Sequence, residues 1–151
     1  MNLSNNLTLK EVTRSNTARR LGISNSPTAE HLENLKQVAE NVFQKVREHF
    51  GVPIYVSSGY RSNRLNKAVK GSSSSDHCKG KALDLDADVF GGVTNKEIFY
   101  YIKDNLEFKQ LIYEYGDENN PDWVHVSFDP NNNKKTVLKT LKGGATQTIK
   151  L

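Results

Sequence analysis

Hydrophobic residues recur every three or four positions between residues 28 and 51, as they do along one face of an α-helix. The apolar positions in this stretch are Leu32, Leu35, Val38, Ala39, Val42, Phe43, Val46 and Phe50. Ser26-Pro27-Thr28 is suited to start a helix, and Gly51 is suited to end it. The pattern therefore predicts one long amphipathic helix that buries its apolar side.

Capping residues indicate four shorter helices. Thr8-Leu-Lys-Glu11 and Thr94-Asn-Lys-Glu97 are capping boxes, in which the first and fourth residues satisfy each other's backbone N–H groups. Ser15 is suited to cap a second short helix that ends near Gly22. A further short helix is predicted near residues 62–69, after a turn.

Apolar and polar residues alternate in several other segments, with the period of two that is typical of β-strands. The predicted strands are residues 53–57, 82–87, 110–115, 123–128, 136–142 and 145–151, and the last two form a hairpin around Gly143-Gly144. Because helices come first and strands mostly follow, we predict an α+β fold with an antiparallel β-sheet and flanking helices.

Length and composition limit the possible classes of protein. A chain of 151 residues with 36% hydrophobic content fits one compact domain over residues 1–151. Cys78 is the only cysteine, so an internal disulfide is excluded and the redox compartment stays open. The net charge of +4 favours weak attraction to anionic surfaces, but the basic residues form no aromatic-interleaved stripe. We therefore predict no nucleic-acid partner, and we expect a monomer.

The first 25 residues contain no apolar run of the length that a secretory signal peptide requires. No segment is apolar over the roughly 20 residues that a membrane-spanning helix needs. We therefore predict a protein that is made in the cytoplasm without a signal peptide and does not insert into a membrane.

Two histidines and one aspartate are suited to bind a metal ion together. His77 and Asp84 lie in the run Ser75-Asp-His-Cys-Lys-Gly-Lys-Ala-Leu-Asp, and His125 lies in Trp123-Val-His-Val-Ser. If both predicted strands belong to one sheet, alternation allows Asp84 and His125 to project from the same surface. Zinc bound by two imidazoles and one carboxylate keeps a position for water, whose pKa it can lower to about 7. These residues therefore predict a Zn²⁺ site.

Two other sites deserve comparison with this one. The run from Asp84 to Asp88 has the alternating acids of a calcium-binding loop, but Val89 and Asn95 stand where that loop needs glycine and glutamate. Cys78 could instead be the nucleophile of a cysteine hydrolase with His125 as its base. Adjacent side chains on an extended loop point apart, however, so Cys78 and His77 are not expected to act as a pair.

Three segments together carry a resemblance to a known family: Ser58-Gly-Tyr-Arg-Ser, Ser75-x-His-x-x-Gly-x-Ala-x-Asp-Leu, and Trp123-Val-His-Val-Ser. In order and spacing they resemble the M15 zinc D-Ala-D-Ala carboxypeptidases, and most closely the branch often found in bacteriophages. The resemblance covers about residues 7–130. It implies the architecture shared by D,D-peptidases and hedgehog-type domains.

The resemblance also implies roles for individual residues. His77, Asp84 and His125 would bind zinc, and Arg61 would contact a carbonyl or terminal carboxylate of the substrate. The general base of the family stands three residues before the last histidine, which is Asp122 in this chain. Glu114 is the alternative acid for that role.

The implied function is zinc-dependent hydrolysis of a peptide bond in bacterial peptidoglycan stem peptides, as a D,D-carboxypeptidase or an endopeptidase. A phage enzyme of this kind would degrade the cell wall during lysis or entry, acting there after release from the cytoplasm. The alternative is a non-catalytic, metal-containing binding protein, since hedgehog-type domains show that this fold need not act as a peptidase.

Overall fold

Side-chain caps begin the helices where the capping residues predict them. In the computed structural model, which describes residues 1–141 and 146–148, Thr8 and Thr94 each form the predicted capping box, and Ser15 caps the second helix. The helices are α1 (Leu9–Thr13), α2 (Asn16–Leu21), α3 (Ala29–Val38), α4 (Gln44–Phe50), α5 (Asn63–Ala68) and α6 (Asn95–Asn105). Thr28 and Ser62 cap α3 and α5 in the same way, each accepting a backbone N–H.

The predicted long helix is present as α3 and α4, which a π-helical stretch, Ala39–Phe43, joins into one continuous helix. Its apolar side lies in the core, and it ends at Gly51, whose φ of 68° is in the left-handed region that glycine adopts readily. The prediction is confirmed, but the residue spacing does not indicate the π-helical stretch. None of the helices within residues 1–141 and 146–148 has the length and apolarity needed to cross a membrane.

The strands form a two-stranded hairpin and one six-stranded sheet. The strands are β1 (Asn2–Ser4), β2 (Leu7–Thr8), β3 (Tyr55–Ser58), β4 (Ala82–Asp86), β5 (Gln110–Glu114), β6 (Trp123–Ser127), β7 (Thr136–Thr140) and β8 (Thr146–Thr148). The order in the larger sheet is β3-β4-β6-β5-β7-β8. Helix α1 packs against the edge strand β3, where the backbone N–H of Tyr60 donates to the carbonyl of Val12.

The α+β prediction is confirmed, but the sheet is mixed and not purely antiparallel. Every neighbouring pair of strands in it is antiparallel except β5 and β7, which run parallel. Ser127 at the end of β6 and Thr136 at the start of β7 both pair with Gln110 of β5, on its two sides. The connection between β6 and β7 therefore crosses over the end of β5. Alternation cannot reveal this, because it has the same period in both strand directions. The predicted turn at Gly143-Gly144 lies outside the described residues, although β7 and β8 do pair as a hairpin would.

The two faces of the sheet differ in chemistry. One face is fully buried and packs against the helices; its central residues are Leu83, Leu85, Leu111, Tyr113, Val124 and Val126. The opposite face carries Asp84, His125, Ile112 and Glu114, which are only partly buried. The alternation of each strand thus places its polar side chains together on the face that the helices leave open.

Candidate active site

Asp84 and His125 are direct partners across the antiparallel pair of β4 and β6, so their side chains leave the same face of the sheet side by side. His77 reaches them from a 3₁₀ helix, Asp76–Lys79. Nδ1 of His125 lies 3.0 Å from Oδ1 of Asp84, and Nε2 of His77 lies 3.3 Å from the same oxygen. One ligand atom from each residue falls within 4.8 Å of the other two. The structure thus brings the three predicted metal ligands together.

The backbone fixes the ring of His77 in the state that a metal ligand requires. Its Nδ1 lies 2.6 Å from the carbonyl oxygen of Gly59. A carbonyl can only accept, so Nδ1 donates to it, and Nε2 is the nitrogen that faces Asp84 and would bind a metal ion. The backbone N–H of His77 also donates to Oγ of Ser75, which caps the 3₁₀ helix. Such outer hydrogen bonds orient metal-binding imidazoles in proteins.

The 3₁₀ helix that carries His77 ends at Gly80, where only glycine fits. Gly80 has a φ of 73°, and a Cβ there would lie 2.5 Å from the carbonyl oxygen of His31 in the long helix. Gly80→Ala is therefore expected to destabilise the fold through both backbone strain and this contact. Gly91→Ala is the matched control, because Gly91 has a φ of 76° and no atom within 4 Å of a Cβ.

Urea denaturation should show that Gly91→Ala lowers the free energy of unfolding by about 1 kcal/mol, because only the positive φ disfavours alanine there. Gly80→Ala should cost about 1–3 kcal/mol more, which is the range for overpacking a tight site. Equal losses in the two variants would contradict the view that close packing on the long helix positions the His77 turn.

Electrostatics couples Asp84 to both rings. Burial alone would raise the pKa of Asp84, but the charge of His77 and hydrogen bonds with both histidines hold it well below its ordinary value. Burial alone would lower the pKa of His125, but the hydrogen bond and the charge of Asp84 raise it. Without a metal ion, the carboxylate is therefore ionised and His125 keeps a proton to a higher pH than usual.

This coupling predicts a pH dependence for chelator-treated protein. Because the pKa of His125 is raised on folding, its stabilisation is fully present below the unfolded value of about 6.5 and is lost as pH rises through the folded value. The free energy of unfolding, measured with denaturant, should therefore decrease as the pH rises from about 6.5. His125→Asn should flatten this decrease, whereas His49→Asn, at an exposed site, should keep it. A flat profile in the unmodified protein would contradict the coupling.

A cavity of about 510 Å³ lies over these residues. The open face of β5 provides its long axis: Gln110 at one end, Ile112 opposite His125 in the middle, and Glu114 opposite Trp123 at the other end. The cavity is also lined by the polar loop that precedes His77. The candidate ligands therefore lie midway along an open, polar cleft.

Three acids line this cleft: the candidate ligand Asp84, Asp76, which pairs with Lys109, and Glu114. Burial raises the pKa of Glu114, which interacts electrostatically with His125 and Asp84. Asp122 is exposed and does not line the cavity, because β6 begins only at Trp123 and the N–H of Asp122 donates to the backbone carbonyl of Glu114. The structure thus places Asp122 at the exposed end of the loop before β6, next to Glu114 in the backbone hydrogen bonding and outside the residues that line the cavity.

Arg61 lines the same cavity, as its predicted role requires. One terminal nitrogen lies 3.3 Å from Oγ of Ser75, and the buried Nε has no hydrogen-bond partner among residues 1–141 and 146–148. A guanidinium has five N–H donors, so several stay free for a ligand. Arg61 can thus donate to a substrate oxygen in the cleft.

The two alternative sites fit the structure poorly. Cys78 is buried and does not line the cleft, and burial raises the pKa of its thiol, which disfavours the reactive thiolate. The carboxylates of Asp86 and Asp88 accept hydrogen bonds from the buried amide of Asn95, which also donates toward the carbonyl of Asp122. These acids therefore join the start of α6 to the loop before β6 and do not face an ion site.

Comparison with known families agrees with this geometry. A family model described as Peptidase M15 matches residues 5–127, a range that contains all three candidate ligands, Arg61 and Glu114. No curated protein matches the chain significantly. Because the family model covers most of the sequence, the chain belongs to the M15 peptidases, which are metallopeptidases that act on peptide substrates.

Proposed function

We propose that this peptidase is zinc-dependent and that His77, Asp84 and His125 bind the ion. The observation that carries this proposal is the convergence of one atom from each residue within 4.8 Å. Four ligands at about 2.0–2.2 Å from a tetrahedral zinc would stand about 3.3–3.6 Å apart; the 3.3 Å from Asp84 to His77 fits this range, and the 3.0 Å to His125 is slightly shorter. Two imidazoles and one carboxylate also leave one tetrahedral position for water, as catalytic zinc sites do.

When bound, zinc lowers the pKa of a water molecule and polarises the carbonyl of the scissile bond. The protein supplies the other functions. Glu114 accepts the proton of the attacking water and delivers it to the leaving amine. Burial raises the pKa of Glu114 toward neutral pH. A base whose pKa is closer to the working pH can both accept a proton and release it again. Arg61 donates to the oxyanion or to a substrate carboxylate.

We assign the base to Glu114 and not to Asp122, although the family resemblance implied Asp122. Glu114 lies on the same strand face as Ile112, which is the register partner of His125. A general base must approach the proton that it removes within hydrogen-bonding distance, directly or through one water. The cleft position of Glu114 supports that requirement, whereas the exposed carboxylate of Asp122 lies outside the cleft lining.

The proposed substrate is a peptide bond of bacterial peptidoglycan stem peptides, cut by a D,D-carboxypeptidase or an endopeptidase. The three-segment resemblance to phage-type M15 enzymes and the open polar cleft support this choice. We further propose a phage-encoded, monomeric enzyme that acts at the cell wall after release from the cytoplasm.

Digestion of purified stem-peptide fragments, followed by mass spectrometry, tests this function. Chelator-treated protein should release no fragment, and stoichiometric zinc should restore release. The fragment masses would show which bond is cut. Zinc-loaded protein that leaves every fragment intact, although it binds them, would support the non-catalytic alternative instead.

A further inference from the structure

The cleft is polarised along β5, with cations at one end. Arg61, Lys109 and Lys134 all line the cleft. Lys109 directly precedes β5, and the N–H of Thr136 donates to its carbonyl, which places the segment of Lys134 beside the start of β5. Arg61 is connected to the same end through Ser75, because the next residue, Asp76, pairs with Lys109. Ser75, the hydrogen-bond partner of Arg61, belongs to the turn that leads to His77.

The other end of the cleft has the opposite character. It is lined by Glu114, Tyr115 and Trp123. The rings of Tyr115 and Trp123 pack edge to face, with their centroids 5.2 Å apart. An anionic substrate group would be repelled by the Glu114 carboxylate at this end and attracted at the cationic end. The charge distribution therefore favours one orientation of an anionic peptide in the cleft.

The three cations are not equivalent. Lys109 donates to both carboxylate oxygens of Asp76 at 3.0 Å, so much of its charge is balanced by the protein. Lys134 is exposed, and within residues 1–141 and 146–148 it takes part in no ion pair or side-chain hydrogen bond. It also lies beyond residue 127, where the match to the family model ends. Lys134 is therefore a cation whose charge no side chain within the described residues balances, and it lies outside the segment that the family model matches.

We propose that Lys134, together with Arg61, binds a free carboxylate of the peptide substrate and selects substrates that carry one about two residues from the bond that is cut. The distance follows from the strand: Gln110, at the cationic end, precedes Ile112, beside His125, by two residues, or about 7 Å at the rise of a β-strand. An extended peptide covers the same distance in two residues. This inference rests on the proposed peptidase function and names the substrate class of the same cleft.

Matched substrates test the proposal. Stem peptides would be compared as free acids and as the corresponding amides, with amidation at the D-isoglutamate α-carboxylate and separately at the terminal carboxylate. The unmodified enzyme should have a kcat/KM about 3–10-fold higher for the acid at one of these positions, the range for a charge-assisted contact that stays partly solvated. In Lys134→Ala the ratio between acid and amide should approach one, mainly through KM, and in Lys134→Glu it should reverse.

Lys135 provides the matched control. It is adjacent to Lys134 and has the same charge, but it pairs with Glu107 at 3.6 Å and does not line the cleft. Lys135→Glu should therefore keep the preference for the acid. Equal kcat/KM values for acid and amide at both positions, or the same loss of preference in Lys134→Glu and Lys135→Glu, would overturn the proposal while leaving the peptidase function intact.

Binding to the chelator-treated protein, measured by calorimetry, separates this proposal from the proposed function. Tighter binding of the acid than of the amide, lost in Lys134→Glu and kept in Lys135→Glu, would support carboxylate recognition even if no bond were cut. Equal binding of the two peptides together with an absence of cleavage would reject both proposals.

Discussion

Glutamine in place of Glu114 is expected to lower kcat by about 10²–10⁴-fold, the range that general acid–base catalysis contributes. Glutamine has nearly the same size and can keep polar contacts, but it cannot accept the proton of the attacking water. The proposed ligands His77, Asp84 and His125 are unchanged in this variant, so its bound zinc, measured by mass spectrometry or a colorimetric chelator, should equal that of the unmodified protein. A large loss of rate with full metal content would identify Glu114 as the base.

Asp122→Asn is the matched control, because it makes the same acid-to-amide change on the neighbouring backbone segment, outside the cleft lining. It should retain nearly full kcat. The opposite result, an inactive Asp122→Asn beside an active Glu114→Gln, would return the role to Asp122 and contradict the assignment made from the cleft.

The pH profile gives a second measurement of the same group. With Glu114 as the base, kcat/KM should rise with pH along an acidic limb as its carboxyl group loses its proton. Glu114→Gln should not show this limb in its residual activity.

Asparagine in place of Asp84 is expected to weaken zinc binding by more than about 100-fold and to remove activity with it. Loss of an outer hydrogen bond alone typically costs about 10–100-fold in metal affinity or activity, and the loss of a charged ligand should cost more. The same carboxylate oxygen of Asp84 also contacts both imidazoles, Nδ1 of His125 and Nε2 of His77. Competition with a chelating dye would measure the affinity directly, without reliance on turnover.

Asp86→Asn is the control for this change. Asp86 lies two residues further along β4 and on the same face, but its carboxylate accepts a hydrogen bond from Asn95 and does not contact either histidine. It should bind zinc as tightly as the unmodified protein. Equal affinities in Asp84→Asn and in the unmodified protein would mean that these three residues do not form the metal site.

Much of the local structure was predictable because its causes are local. A capping box joins residues three apart, so Thr8 and Thr94 mark the starts of their helices without knowledge of the fold. Alternation likewise assigned Asp84 and His125 to the face opposite the buried residues of their strands. The match of residues 5–127 to the M15 family agrees with the motifs from which the resemblance was inferred.

The positions of the two candidate bases were less predictable, because spacing along the chain says little about position in space. Asp122 stands at the family's spacing before His125, yet the irregular backbone before β6 leaves it exposed. Glu114 had a signal of its own: it shares the partly exposed face of β5 with Gln110 and Ile112, opposite the buried Leu111 and Tyr113. That signal acquires meaning only once β5 is known to be the neighbour of β6.

Periodicity and capping in the chain alone determined which residues form helices and strands and which side of each strand is polar, because these properties depend on residues within a few positions of one another. Only the tertiary structure decided the order of the strands and the parallel pairing of β5 with β7. It also decided that Glu114 and Lys134 share a cleft with the three metal-binding candidates. These outcomes depend on contacts between segments distant in sequence, which side-chain packing and backbone hydrogen bonding establish and no local pattern encodes.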